Sequence, residues 1–80
     1  MNKIDERFIA TINSNKRRSF FAAHRMLLSN RVSRNILLDS AKELINRSEY
    51  LYANYRQTEA NNVLQFAFQI IGFISQTQNK

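Results

Sequence analysis

The chain has no cysteine, no proline, no tryptophan, a single glycine and a single histidine. Without cysteine there is no disulfide, no thiolate nucleophile and no cysteine-ligated zinc or iron, and the small disulfide-stapled secreted scaffolds are excluded. A cytoplasmic protein is expected. One glycine cannot build a phosphate-cradling loop, and neither a nucleophile elbow nor a helical zinc motif has matching residues. Acidic side chains are scarce too, with 6 Asp plus Glu against 12 Lys plus Arg and a formal net charge of +6. No apolar run is long. Val63 to Ile74 is broken by Gln65 and Gln69, whereas a bilayer span needs about 20 apolar residues, so no transmembrane segment is expected. No export signal is visible behind the charged start.

What is present is helical period. At 80 residues one domain covering 1–80 is expected, and a chain of this size buries only about 60 to 65% of the surface it exposes when unfolded. A second copy or a partner would enlarge that core. The apolar positions Ile4, Phe8, Ile9 and Ile12 give a short amphipathic helix over Lys3 to Asn13, with Asp5 and Glu6 in the first turn, where the helix dipole favours them. A second helix over Arg18 to Ser29 groups Phe20, Phe21, Ala23, Leu27 and Leu28 on one side and Arg18, Ala22 and Arg25 on the other. Ser33 is placed to cap a third helix reaching Tyr55, with the stripe Leu37, Ala41, Leu44, Ser48, Leu51 and Tyr55. Glu43 and Arg47 read as an exposed i,i+4 pair.

The fourth helix, Thr58 to Gln76, is apolar over about 220 degrees of its circumference, twice the arc a one-sided surface helix needs. It carries no charge between Glu59 and Lys80. The expectation is an all-α bundle of three to four helices completed by dimerisation, with Phe66, Ile70, Phe73 and Ile74 at the self-association or partner interface. Gly72 would admit a close backbone, or is simply a tolerated helix glycine.

Catalytic inventory is thin. None of the six carboxylates is followed at metal-ligand spacing by the one histidine, and Asp39 with Glu43, although four apart, lacks a His partner. His24 projects into an apolar arc and reads as a half-buried structural residue. No enzyme, no cofactor and no metal site is expected. Charge placement carries the functional expectation: from Arg7 to Leu38 there are seven cations and no acid, and arginine outnumbers lysine. Guanidinium forks suit phosphate or carboxylate. Lys16, Arg17, Arg18, Arg25, Arg31 and Arg34 are therefore expected to bind nucleic acid or an acidic protein. Four to six such contacts on duplex DNA would give a slope of log affinity on log salt of roughly −3.6 to −5.4. The rival expectation is a helical adaptor, inhibitor or immunity-type protein that receives a partner on its apolar last helix. Tyr50 projects away from the Leu44 and Leu51 stripe and reads either as an exposed stacking or hot-spot residue or as one packed under the first helix.

The string Val32, Ser33, Arg34, Asn35, Ile36, Leu37 resembles the opening of the recognition helix in a helix-turn-helix protein. In that register Arg31 stands where the turn usually has glycine, Asn30 where an apolar residue precedes it, and Leu27 where the preceding helix has a small residue.

Overall fold

The computed structural model describes residues 2–14 and 16–78, apart from the side chains of Arg17 and Gln78. Four helices follow one another, α1 over Lys3–Asn13, α2 over Arg17–Leu28, α3 over Arg34–Ala53 and α4 over Gln57–Gln78. No strand occurs among the described residues, so the all-α expectation holds. None of these helices is long and apolar enough to cross a membrane.

Helix α1 starts where Asn2 accepts a hydrogen bond from the Asp5 backbone N–H, at 2.8 Å, an N-terminal cap. Asn30, just past the end of α2, takes a left-handed φ of 60°, a conformation asparagine tolerates better than most residues. Helix α3 ends in a Schellman motif: the Arg56 N–H reaches the Leu51 carbonyl and the Tyr55 N–H the Tyr52 carbonyl. Tyr55 occupies its left-handed position, at φ 62°. That motif stops the helix two residues short of the Tyr55 end read from the period.

Helices α3 and α4 form a long antiparallel hairpin, and α1 and α2 lie against it, α1 on α3 and α2 on α4. The interior is a single cluster built on Phe8, Ile12, Ala23, Leu27, Leu37, Ala41, Leu44, Leu51 and, from α4, Ala60, Val63, Phe66, Ala67, Ile70 and Ile74. Phe66 is the joint. Its ring centroid lies 6.3 Å from that of Phe8 on α1 and 5.5 Å from that of Phe20 on α2. The backbones of helices α2 and α3 do not approach each other closely among the described residues. The helix-turn-helix resemblance therefore stops at the local string, because that motif depends on a close crossing of its two helices.

Two charged side chains pin α1 alongside α3. The buried Asp5 carboxylate accepts from the Ser33 backbone N–H at 2.8 Å and from the Ser33 hydroxyl at 2.6 Å. Ser33 does sit at the cap position of α3, but its hydroxyl is turned to Asp5, and the carboxylate supplies the negative charge that the helix start favours. At the other end, Arg47 on α3 donates to the Ile12 carbonyl at 3.0 Å and to Asn13 Oδ1 at 3.1 Å while pairing with Glu43 at 2.8 Å. Its side chain is only 17% exposed. The Glu43–Arg47 pair is thus no mere solvated couple: the guanidinium caps the last turn of α1, which has no basic residue of its own. Since both helix starts meet at Asp5–Ser33 and the end of α1 meets Arg47, the two helices run in the same sense.

The Ser33 hydrogen bonds, backbone first and hydroxyl second, hold the Asp5 carboxyl below its ordinary 3.8, against the opposing effect of burial. A depressed folded-state value means that the stabilisation is fully present above the unfolded value and is lost as pH falls through the folded one. We expect Asp5→Asn to lower the urea midpoint at neutral pH, with the gap to the unaltered protein closing below about pH 3.8. Urea titrations at a series of pH values check this. A gap that stays constant down the series would show that the Asp5 charge contributes nothing.

Candidate nucleic-acid interface

Helix α2 has a distribution of residues that its own stability does not favour. Lys16 occupies its N-cap position, Arg17 and Arg18 follow in the first turn, and no acid is present there. Cations at the positive end of a helix dipole are unfavourable by a few tenths of a kcal/mol each. Lys16 makes no side-chain cap either. At about 100 degrees per residue, Ala23 and Leu27 point into the core while Arg18 and Arg25 point directly away from it.

The cations singled out from the sequence are placed as follows. Lys16, Arg18, Arg25 and Arg31 are all exposed, and none forms an ion pair with a carboxylate among the described residues. Arg34 is exposed at the start of α3 and is engaged with the chain itself. The Arg17 side chain lies outside the described residues. Lys16 and Arg18 stand at the start of α2, Arg25 two turns on, and Arg31 in the turn that follows the helix. They are strung along about 18 Å of helix.

Beside the Arg18–Arg25 row lies an apolar strip that the sequence reading placed in the core. Phe21 is 60% exposed and Leu28 62%. Only Phe20, Ala23 and Leu27 of the predicted five face inward, because the inward arc of α2 is centred on Ala23 and Leu27 and the other two fall past its edge, towards the arginines. His24 is half-buried, as expected, at the inner border of that strip.

Between α2 and α4 a cleft of about 360 Å³ opens, lined by Phe20, Phe21, His24, Asn62, Gln65, Phe66 and Gln69. Its floor is the Phe20–Phe66 ring contact, tilted at 41°. Its rim is polar and carries no Asp, Glu, Lys or Arg side chain. None of the three carboxamides and no His24 nitrogen is hydrogen-bonded to another described side chain. The signal for this site was in the sequence, as an uncharged amide row at 62, 65 and 69, three and four residues apart.

The predicted self-association residues are placed elsewhere than expected. Phe66, Ile70 and Ile74 are buried in the chain's own core and Phe73 is half-buried against it. The part of the wide apolar arc of α4 left open is a neighbouring one, with Phe68 and Ile71 exposed and Leu64 half-buried. A Cβ on Gly72 would meet nothing within 4 Å outside its own helix turn, so no other backbone approaches it among the described residues. Tyr50 is exposed, as read from its projection. No group of acidic or histidine side chains that could hold a metal ion occurs among the described residues. Comparison with known protein families, curated proteins and solved structures finds no match to this chain.

Proposed function

We propose that this is a small non-enzymatic regulatory protein that binds nucleic acid through the basic surface of α2 and the turn after it. The observation that carries the reading is the set Lys16, Arg18, Arg25 and Arg31, exposed and without a carboxylate partner among the described residues, with Lys16 and Arg18 at a helix start whose dipole disfavours cations and only Arg25 in the last turn, where the dipole favours one. A local arrangement that costs stability without a visible compensating contact is what a binding surface looks like from the inside of a fold. Phosphates are its natural complement.

The test is binding of labelled mixed-sequence DNA and RNA between about 50 and about 200 mM salt. Four phosphate contacts give an expected slope of log affinity on log salt of about −2.8 for a single strand and about −3.6 for a duplex. Absence of salt-sensitive binding at the low end removes the reading, and selective binding to an acidic protein instead would reassign the same surface.

A second reading, for a different surface, is that the chain is a homodimer. On one flank of the hairpin, Leu38 and Tyr52 of α3 are exposed with Ile45 midway between them half-buried against the core, and α4 adds exposed Phe68 and Ile71 and half-buried Leu64. Tyr52 hydrogen-bonds Asn61 across the hairpin, and this register brings Ile45 opposite Phe68. Lys42 and Glu49, both exposed, flank Ile45 three residues before and four after. A two-fold axis near Ile45 would set each lysine against the other copy's glutamate, which is the self-complementarity an isologous interface needs. Light scattering is expected to give twice the monomer mass, and Phe68→Glu to halve it. A monomer at all accessible concentrations excludes this reading.

A further inference from the structure

We propose that the α2–α4 cleft seats an unpaired nucleobase, so that the protein prefers single-stranded nucleic acid over duplex; this rests on the basic-surface reading and names the substrate of that surface. Phe21 is the central residue of this site. Its ring forms one wall of the cleft and is 60% exposed, although burial would be its lowest-energy fate. On the same helix Arg18 precedes it by three residues and Arg25 follows it by four, the two spacings that make helix side chains neighbours. An aromatic face between two exposed guanidinium groups is the composition of a stacking platform: the ring takes a base, and the cations take the phosphates on either side of it. Arg18 and Arg25 lie about 10 Å apart along the helix axis, a span an extended strand can bridge.

The rest of the cleft supplies what a base needs beyond a stacking face. Opposite Phe21, α4 presents Asn62, Gln65 and Gln69, and α2 adds His24. Each carboxamide offers both a donor and an acceptor, and neutral imidazole offers one of each, matching the mixed donor and acceptor edge of a base. These groups have no internal side-chain partner to give up. The rim has no carboxylate to repel the strand, and α4 has no charge after Glu59 within its bounds. At about 360 Å³ the cleft sits at the small end of ligand pockets and suits one ring system on the apolar Phe20–Phe66 floor. A base inside a duplex is stacked and paired on the edge the amides would read, so only an unpaired or extruded one can enter.

The experiment compares four ligands: a single-stranded RNA, the DNA of the same sequence, the corresponding duplex, and inorganic polyphosphate of matched charge. It uses the unaltered protein, Phe21→Ala and the double variant Arg18→Gln/Arg25→Gln. Because Phe21 is mostly exposed, its replacement leaves the core intact, which circular dichroism verifies. The unaltered protein is expected to favour single strands over duplex and polyphosphate. Phe21→Ala should weaken single-strand binding by about 5- to 150-fold and leave polyphosphate binding unchanged. The RNA and DNA arms identify which sugar the site accepts. Equal affinity for single strand and polyphosphate, with Phe21→Ala silent and the arginine variant weakened throughout, overturns the base cleft while the basic surface stands. Failure of every ligand to bind at low salt overturns both.

Discussion

Phe66→Ala is expected to destabilise the protein by about 3 to 5 kcal/mol, the cost of deleting a buried phenylalanine and leaving a cavity. The effect should fall at the upper end because Phe66 is 3% exposed and its ring meets both Phe8 and Phe20. No neighbour can collapse into the space without parting from α1 or α2. A domain of 80 residues has a total stability of about 4 to 12 kcal/mol at the usual value per residue, so the variant forfeits a third of it or more. The melting temperature should drop by about 12 °C or more. Phe68→Ala, two residues further on and 59% exposed, provides the contrast, with a change within about 0.5 kcal/mol for the monomer. Thermal unfolding of both, followed by circular dichroism, decides the matter. Equal melting temperatures would mean that Phe66 is not what joins α1 and α2 to the hairpin.

That pair of residues also shows what periodicity can and cannot resolve. The hydrophobic repeat of α4 predicts a helix with two apolar sides, and the structure has both, one in the core and one facing solvent. Which side is which depends on where α2 and α3 dock, and a single helix carries no information about that. Periodicity alone therefore puts the interface at Phe66, Ile70, Phe73 and Ile74, whereas the open arc is Leu64, Phe68 and Ile71. The same limit explains α2: Phe21 and Leu28 are apolar and lie at the edge of the predicted face, and a rotation of a few tens of degrees puts them outside.

Helix ends in this fold are set by local groups at some positions and by tertiary ones at others. Asn2 and Asn30 act within their own turns. Asp5 and Arg47 act across sequence separations of 28 and 35 residues, so their sequence neighbourhoods suggest only a first-turn acid and an ordinary i,i+4 pair. Their real partners are the free backbone groups of another helix, and such partners have no sequence signature. The candidate site divides along the same line. The acid-free run of cations is written in the order of residues and could be read directly; the cleft exists only because α2 brings Phe20 and Phe21 against the amide row of α4.

Replacing Arg18, Arg25 and Arg31 together with glutamine is expected to weaken nucleic-acid binding by about 100-fold at roughly 0.1 M salt, while leaving the melting temperature unchanged. The binding estimate follows from counterion release: each lost contact on a single strand removes about 0.7 from the salt slope, which at that salt is about 5-fold in affinity. Three contacts multiply to about 100-fold, and the slope itself should flatten by about 2. The stability estimate follows from the exposure of all three side chains and their lack of ion pairs among the described residues. Removing Arg18 relieves a cation at the start of α2, while removing Arg25 gives up one in its last turn, so the two dipole effects offset. Binding that weakens without any flattening of the salt slope would mean that these arginines shape the surface and do not meet phosphates. A fall in melting temperature with affinity preserved would mean that they are held for the fold, and the functional assignment of α2 would go with it.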